Sequence, residues 1–114
     1  MRKIATHRVY DAESGKISSQ QVVELDEQGY VLKMYSFSEE IRYTEWLGDL
    51  IILSPLELPK ILPDESFSHF KERIASLVQS EGKEGPKKAY WMTPFNVSEM
   101  EFTSDTHVIV CKSI

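Results

Sequence analysis

The sequence predicts a mostly β domain of the α+β kind: a small antiparallel β-sandwich or open barrel of roughly six or seven strands, with one amphipathic helix near residues 66–81. Three observations carry this reading. β-Branched and aromatic residues gather in short runs separated by Asp, Ser and Gly turn chemistry. Only one stretch, after Asp64-Glu65-Ser66, shows apolar residues at sustained helical spacing. The 114 residues, 41% hydrophobic and 27% charged, suit a single core spanning 1–114 rather than two domains or a disordered chain.

Residues 4–10 are rich in β-formers and end at Asp11-Ala12-Glu13-Ser14-Gly15, a turn by composition. Gln21-Val22-Val23-Glu24-Leu25 and Tyr30-Val31-Leu32-Lys33-Met34-Tyr35 flank Asp26-Glu27-Gln28-Gly29, whose glycine can supply a positive φ. This is the clearest hairpin. Its second arm alternates Tyr30/Leu32/Met34 with Val31/Lys33/Tyr35, so apolar groups fall on both faces of the pleat. One face fills a core, and the other is covered by a further element or meets a partner.

Trp46-Leu47-Gly48-Asp49-Leu50-Ile51-Ile52-Leu53 is the most hydrophobic stretch, interrupted by Gly-Asp and stopped at Ser54-Pro55, and its second half reads as a buried central strand. Pro55, Pro59 and Pro63 disfavour helix before each of them and mark an extended crossing segment. Ser66 offers an N-cap, Phe67, Phe70, Ile74, Leu77 and Val78 form the apolar stripe, and Gly82 ends it. Residues 89–95 and 106–112 read as strands, with a turn-rich stretch at 96–105 between them.

A net charge of −5 repels phosphate backbones, and the basic residues form no stripe, so nucleic acid is not an expected partner. No apolar run has the length of a signal peptide or a membrane span, which predicts a cytoplasmic protein without a membrane partner. Cys111 is the sole cysteine, so an internal disulfide is excluded, and in an apolar strand it reads as a small buried hydrophobe.

His7, His69 and His107 stand at none of the spacings used by metal motifs and read as surface or hydrogen-bonded histidines; neither metal nor cofactor is expected. There is no phosphate-binding glycine loop and no nucleophile elbow. Glu39, Glu40, Glu45 and Asp49 cluster around Tyr43 and Trp46, a density that suits either acid–base chemistry or a solvated loop carrying Arg42.

The runs His7-Arg8-Val9-Tyr10-Asp11-Ala12-Glu13-Ser14-Gly15-Lys16, Val22-Val23-Glu24-Leu25-Asp26-Glu27-Gln28-Gly29-Tyr30-Val31 and Gly48-Asp49-Leu50-Ile51-Ile52-Leu53-Ser54-Pro55 cover about the first half of the chain. In turn and hydrophobic pattern this half resembles the amino-terminal β-sandwich portion of amidohydrolase-type metal-dependent hydrolases. The His-x-His metal pair of that family is absent, since Pro55 is followed by Leu56-Glu57-Leu58-Pro59-Lys60. The chain is also too short for the (β/α)8 barrel of about 250 residues. The resemblance thus implies the small flanking sandwich standing alone, as in a group of small bacterial proteins of this pattern, with no hydrolase activity carried over.

Two functions follow as expectations. The first is a non-enzymatic binding or protein-interaction module, with a protein partner or a homodimer joined through Tyr30, Leu32 and Met34. The alternative is a small enzyme or small-molecule binder whose pocket gathers Tyr43, Glu45, Trp46 and Trp91, with Glu45 as acid or base.

Overall fold

Two turns in the first third of the chain organise a three-stranded meander of β1 (Arg2–Asp11), β2 (Ile17–Leu25) and β3 (Val31–Ser36) in the structure, a computed structural model that describes residues 2–37, 44–82 and 85–112. In the first turn the Gly15 N–H donates to the Asp11 carbonyl at 2.7 Å, while the Asp11 carboxylate accepts from the Glu13 N–H. In the second, Asp26 Oδ1 accepts from the Gln28 and Tyr30 amides at 2.8 and 2.9 Å. Gly29 there has φ +86°, a left-handed conformation that calls for glycine, and packs so closely on the Cys111 carbonyl that a Cβ would be in contact with it at 3.4 Å.

The other side of β1 carries two short strands in tandem, both parallel to it: β4 (Glu45–Trp46) beside its first half and β5 (Leu50–Ser54) beside its second. Then come β6 (Lys88–Asn96) and β7 (Glu101–Val110), giving one sheet of order β3-β2-β1-β5-β6-β7. The fold is mostly β with one helix, and the sheet is open. It is mixed rather than wholly antiparallel, because β3 already runs the same way as β1 and the chain crosses before entering β4 in that direction again. Every residue of β5 is buried between β1 and β6, in the central position its composition predicts.

The stretch at 96–105 is less of a loop than its composition suggests. Phe95 pairs with Phe102 and Thr93 with His107, so Pro94 alone faces residues 103–106, which bulge out of β7. Thr106 Oγ1 donates to the Pro94 carbonyl at 2.5 Å and accepts from the Thr103 N–H at 2.8 Å, satisfying the bulge locally.

Helix α1 (Phe67–Glu81) starts where Ser66 Oγ accepts the His69 N–H at 3.1 Å and stops at Gly82, which takes φ +59° and donates to the Val78 and Gln79 carbonyls. A second anchor at its start comes from β7: Glu101 Oε1 accepts the Phe67 N–H at 2.5 Å and the Phe102 N–H at 3.0 Å. Phe67, Phe70 and Ile74 bury against Tyr10, Leu50, Ile52, Tyr90, Met92 and Phe95, and Leu58 and Ile61 of the crossing segment pack on the same core.

The opposite face holds Ile4, Val9, Val23, Leu25, Ile51, Leu53, Ala89 and Cys111. No second helix covers it among the described residues; the sheet curls around it. At one end the curl brings its edge strand onto β6, where Tyr30 bridges Lys88 and the Val31 N–H donates to the Lys87 carbonyl at 2.8 Å. Lys87 is fixed beside that seam by ion pairs to Asp11 at 2.8 Å and Glu13 at 3.4 Å. No described helix is long and apolar enough to cross a membrane.

Candidate functional site

The Gly48-Asp49 pair that interrupts the hydrophobic stretch is where β4 gives way to β5, and both residues take positive φ, +68° and +51°. Three strands meet at this break. Thr6 Oγ1 donates to the Gly48 carbonyl at 2.6 Å, the Asp49 N–H donates to His7 Nδ1 at 3.0 Å, and Thr93 Oγ1 donates to Asp49 Oδ2 at 2.6 Å. Since His7 Nδ1 accepts, the proton of the neutral ring sits on Nε2. His7 is therefore a hydrogen-bonded strand histidine, as its setting in the sequence suggests.

The Trp46 ring stands edge-on to His7, with centroids 4.7 Å apart, and edge-on to Phe37 at 6.2 Å. A Cβ on Gly48 would lie 3.4 Å from Trp46 Nε1 and 3.6 Å from His7 Cε1. Gly48→Ala is accordingly expected to cost ~1–2 kcal/mol, from a strained left-handed backbone, with the new methyl in contact with the indole. Chemical denaturation measures the loss, and a shift in Trp46 fluorescence would accompany it.

Of the residues predicted to form a pocket, Tyr43 lies outside the described residues. Glu45 is at the surface, where it pairs with Arg2 at 2.8 Å. Trp46 is 53% exposed. Trp91 packs against the core that contains Ile4, with its Nε1 buried and without a hydrogen-bond partner among the described residues. Ile4 pairs with Glu45 and Ala5 with Trp46, so Trp46 stands on the opposite face of the sheet from Ile4 and hence from Trp91. The structure does not bring the two tryptophans together.

The hairpin residues fare differently. Leu32 and Met34 are 56% and 37% exposed, whereas Tyr30 is half-buried at the seam with β6. A register shift between Glu24 and Leu25 moves Val31 into the inner core and leaves Lys33 and Tyr35 together outside. There the Tyr35 hydroxyl donates to the buried Glu24 carboxylate at 2.7 Å, and Lys33 lies 3.9 Å from that carboxylate. The bond to Glu24 raises the Tyr35 pKa, with burial adding to it. Beyond Val31, the outer edge of β3 pairs with no strand among the described residues.

Burial pushes the Cys111 thiol up to about 11, so it stays protonated and behaves as a core side chain rather than a nucleophile. Among the described residues no three His, Cys, Asp or Glu side chains converge as metal ligands would. Sequence reasoning missed Thr6 and Thr93 and the joining of His7 to Asp49, and the Gly-Asp interruption was the signal that pointed toward them. Compared with protein-family models, curated proteins and solved structures, the chain matches none.

Proposed function

We propose that this chain is a non-enzymatic protein-interaction module of the cytoplasm that joins a second copy of itself by strand addition at β3. The observation that carries the reading is the outer edge of β3, which beyond Val31 pairs with no strand among the described residues and has Leu32 and Met34 exposed on it. The Phe37 N–H donates inward to the Gln20 carbonyl, so by alternation the Met34 amide and carbonyl point outward. A two-fold axis at Met34 pairs those groups with the same groups of the second copy. It also sets Lys33 against Tyr35 and Leu32 against Ser36, and no like charges oppose.

Light scattering over a concentration range tests this. The unaltered chain is expected to dimerise and the double variant Leu32→Lys/Met34→Lys to remain monomeric. Since both side chains are exposed, folding stability should change by no more than about 0.5 kcal/mol. A monomer at every concentration, or a dimer indifferent to the two lysines, would falsify the reading. The pocket reading built on Tyr43, Glu45, Trp46 and Trp91 has no comparable support, given the opposite facing of the two tryptophans.

A further inference from the structure

The geometry points to a second, separate site: a cleft lined by Tyr30, Pro55, Glu57, Lys88, Tyr90 and Val110 that binds a small zwitterion of the amino-acid class. It exists because the sheet curls. The Tyr30–Lys88 bridge sets those two residues side by side, Tyr90 follows two positions along β6 on the same face, and Val110 pairs with Tyr90 across β7. The start of the crossing segment, with Pro55 and Glu57, forms the remaining wall. The cleft encloses about 380 Å³, within the range of small-molecule sites.

Its polar groups are unspent. The Tyr90 ring belongs to the helix-side core, while its hydroxyl is not shut away from solvent and makes no hydrogen bond among the described residues. Burial, and after it the charge of Glu57, raises the Tyr90 pKa, so the hydroxyl is held as a donor. Lys88 lies 5.3 Å over the Tyr30 ring and, unlike Lys87 beside it, forms no ion pair with any described residue.

Glu57 likewise has no ion-pair partner among the described residues, and the two opposite charges line one cleft without reaching the 4.0 Å of an ion pair. A simple anion would meet Glu57 and a simple cation would meet Lys88. A molecule carrying both charges satisfies each wall: its carboxylate meets Lys88 and the Tyr90 hydroxyl, its ammonium meets Glu57, and its side chain lies along Pro55 and Val110.

Titration of the ¹⁵N-labelled chain with glycine, L-leucine, L-phenylalanine and L-glutamine, followed by amide chemical shifts, tests the site. At least one of them should give saturable shifts confined to the neighbourhood of Tyr30, Glu57, Lys88, Tyr90 and Val110. Its N-acetyl and C-terminal amide forms should bind at least about tenfold more weakly, each having lost one charge. Tyr90→Phe, which removes only an unbonded hydroxyl, and Glu57→Gln should each weaken binding several-fold while the melting temperature holds. The proposal fails if none of the four shifts these amides by roughly 10 mM, if capped and free forms bind alike, or if both variants bind as the unaltered chain does. The oligomeric state of Leu32→Lys/Met34→Lys is a separate readout, so either proposal can fall without the other.

Discussion

Phe67→Ala is expected to lower the free energy of unfolding by about 3–5 kcal/mol, a large share of what holds a domain of this size together. Phe67 is fully buried and stands edge-on to Phe95 at 5.1 Å, Phe102 at 5.6 Å and Tyr10 at 6.2 Å, joining the helix to three strands of the sheet. Truncation removes the transfer energy of the ring and leaves a cavity whose walls are themselves large rings, which cannot close over it. Urea denaturation measures the loss, and Phe67→Leu, which keeps more of the volume, should lose clearly less. A cost under about 1 kcal/mol for the alanine variant would mean that the helix is not seated on these rings.

The second large effect is expected at Glu65, which is remote from any candidate site. Its side chain is 1% exposed, and its carboxylate accepts from Arg73 Nε and Nη2 at 2.6 and 2.7 Å and from the Leu62 N–H at 3.0 Å, with His69 Nδ1 at 2.6 Å. Arg73 also donates to the Lys60 carbonyl, so one ion pair ties the end of the crossing segment to the helix. Glu65→Ala leaves Arg73 and a loop amide without their acceptor and should cost ~2–4 kcal/mol near neutral pH. The quarter-exposed guanidinium keeps the cost below that of a wholly buried pair.

The same group predicts a pH dependence. The hydrogen bonds from Arg73 hold the Glu65 carboxyl at about 2 against the opposing effect of burial, below its ordinary value of 4.5. A carboxyl with a depressed pKa in the folded state contributes stability above its unfolded pKa. That contribution is lost as pH falls from about 4.5 through about 2. Glu65→Gln should flatten that part of the stability profile, and a variant that loses stability with acid as steeply as the unaltered chain would show that other carboxylates dominate there.

What could be read from the sequence was what is local. The second turn followed from Asp26 and Gly29 because the hydrogen bonds that build it stay within five residues, and the helix bounds followed from Ser66 and Gly82 for the same reason. The break at Gly48-Asp49 was visible as an interruption. Its partners His7 and Thr93 lie 42 and 44 residues from Asp49 and leave no trace in the local pattern. The expectation that Trp46 and Trp91 share a pocket depended on strand parity. Because side chains alternate with a period of two, the pairing of Trp46 with Ala5 rather than Ile4 decides which face it takes, and no composition reveals that. The tyrosine cleft was hidden for a related reason, since it forms only once the sheet has curled far enough for Tyr30 to reach Lys88.

Glu101 gives the helix a dependence that its own capping residues do not express. Ser66 and Gly82 determine where the helix begins and ends, but the first amide of α1 is satisfied by a carboxylate from a strand that follows it in the chain. Helix and terminal hairpin are thereby tied together: loosening β7 frees the start of α1, and the helix cannot open at that end without taking the Phe67 N–H from the Glu101 carboxylate, which also accepts from the Phe102 N–H of its own strand. The meander is held to that assembly by the β1–β5 pairing and by the seam of Tyr30 and Val31 with β6, and at the break between β4 and β5 Asp49 links His7 of one part to Thr93 of the other.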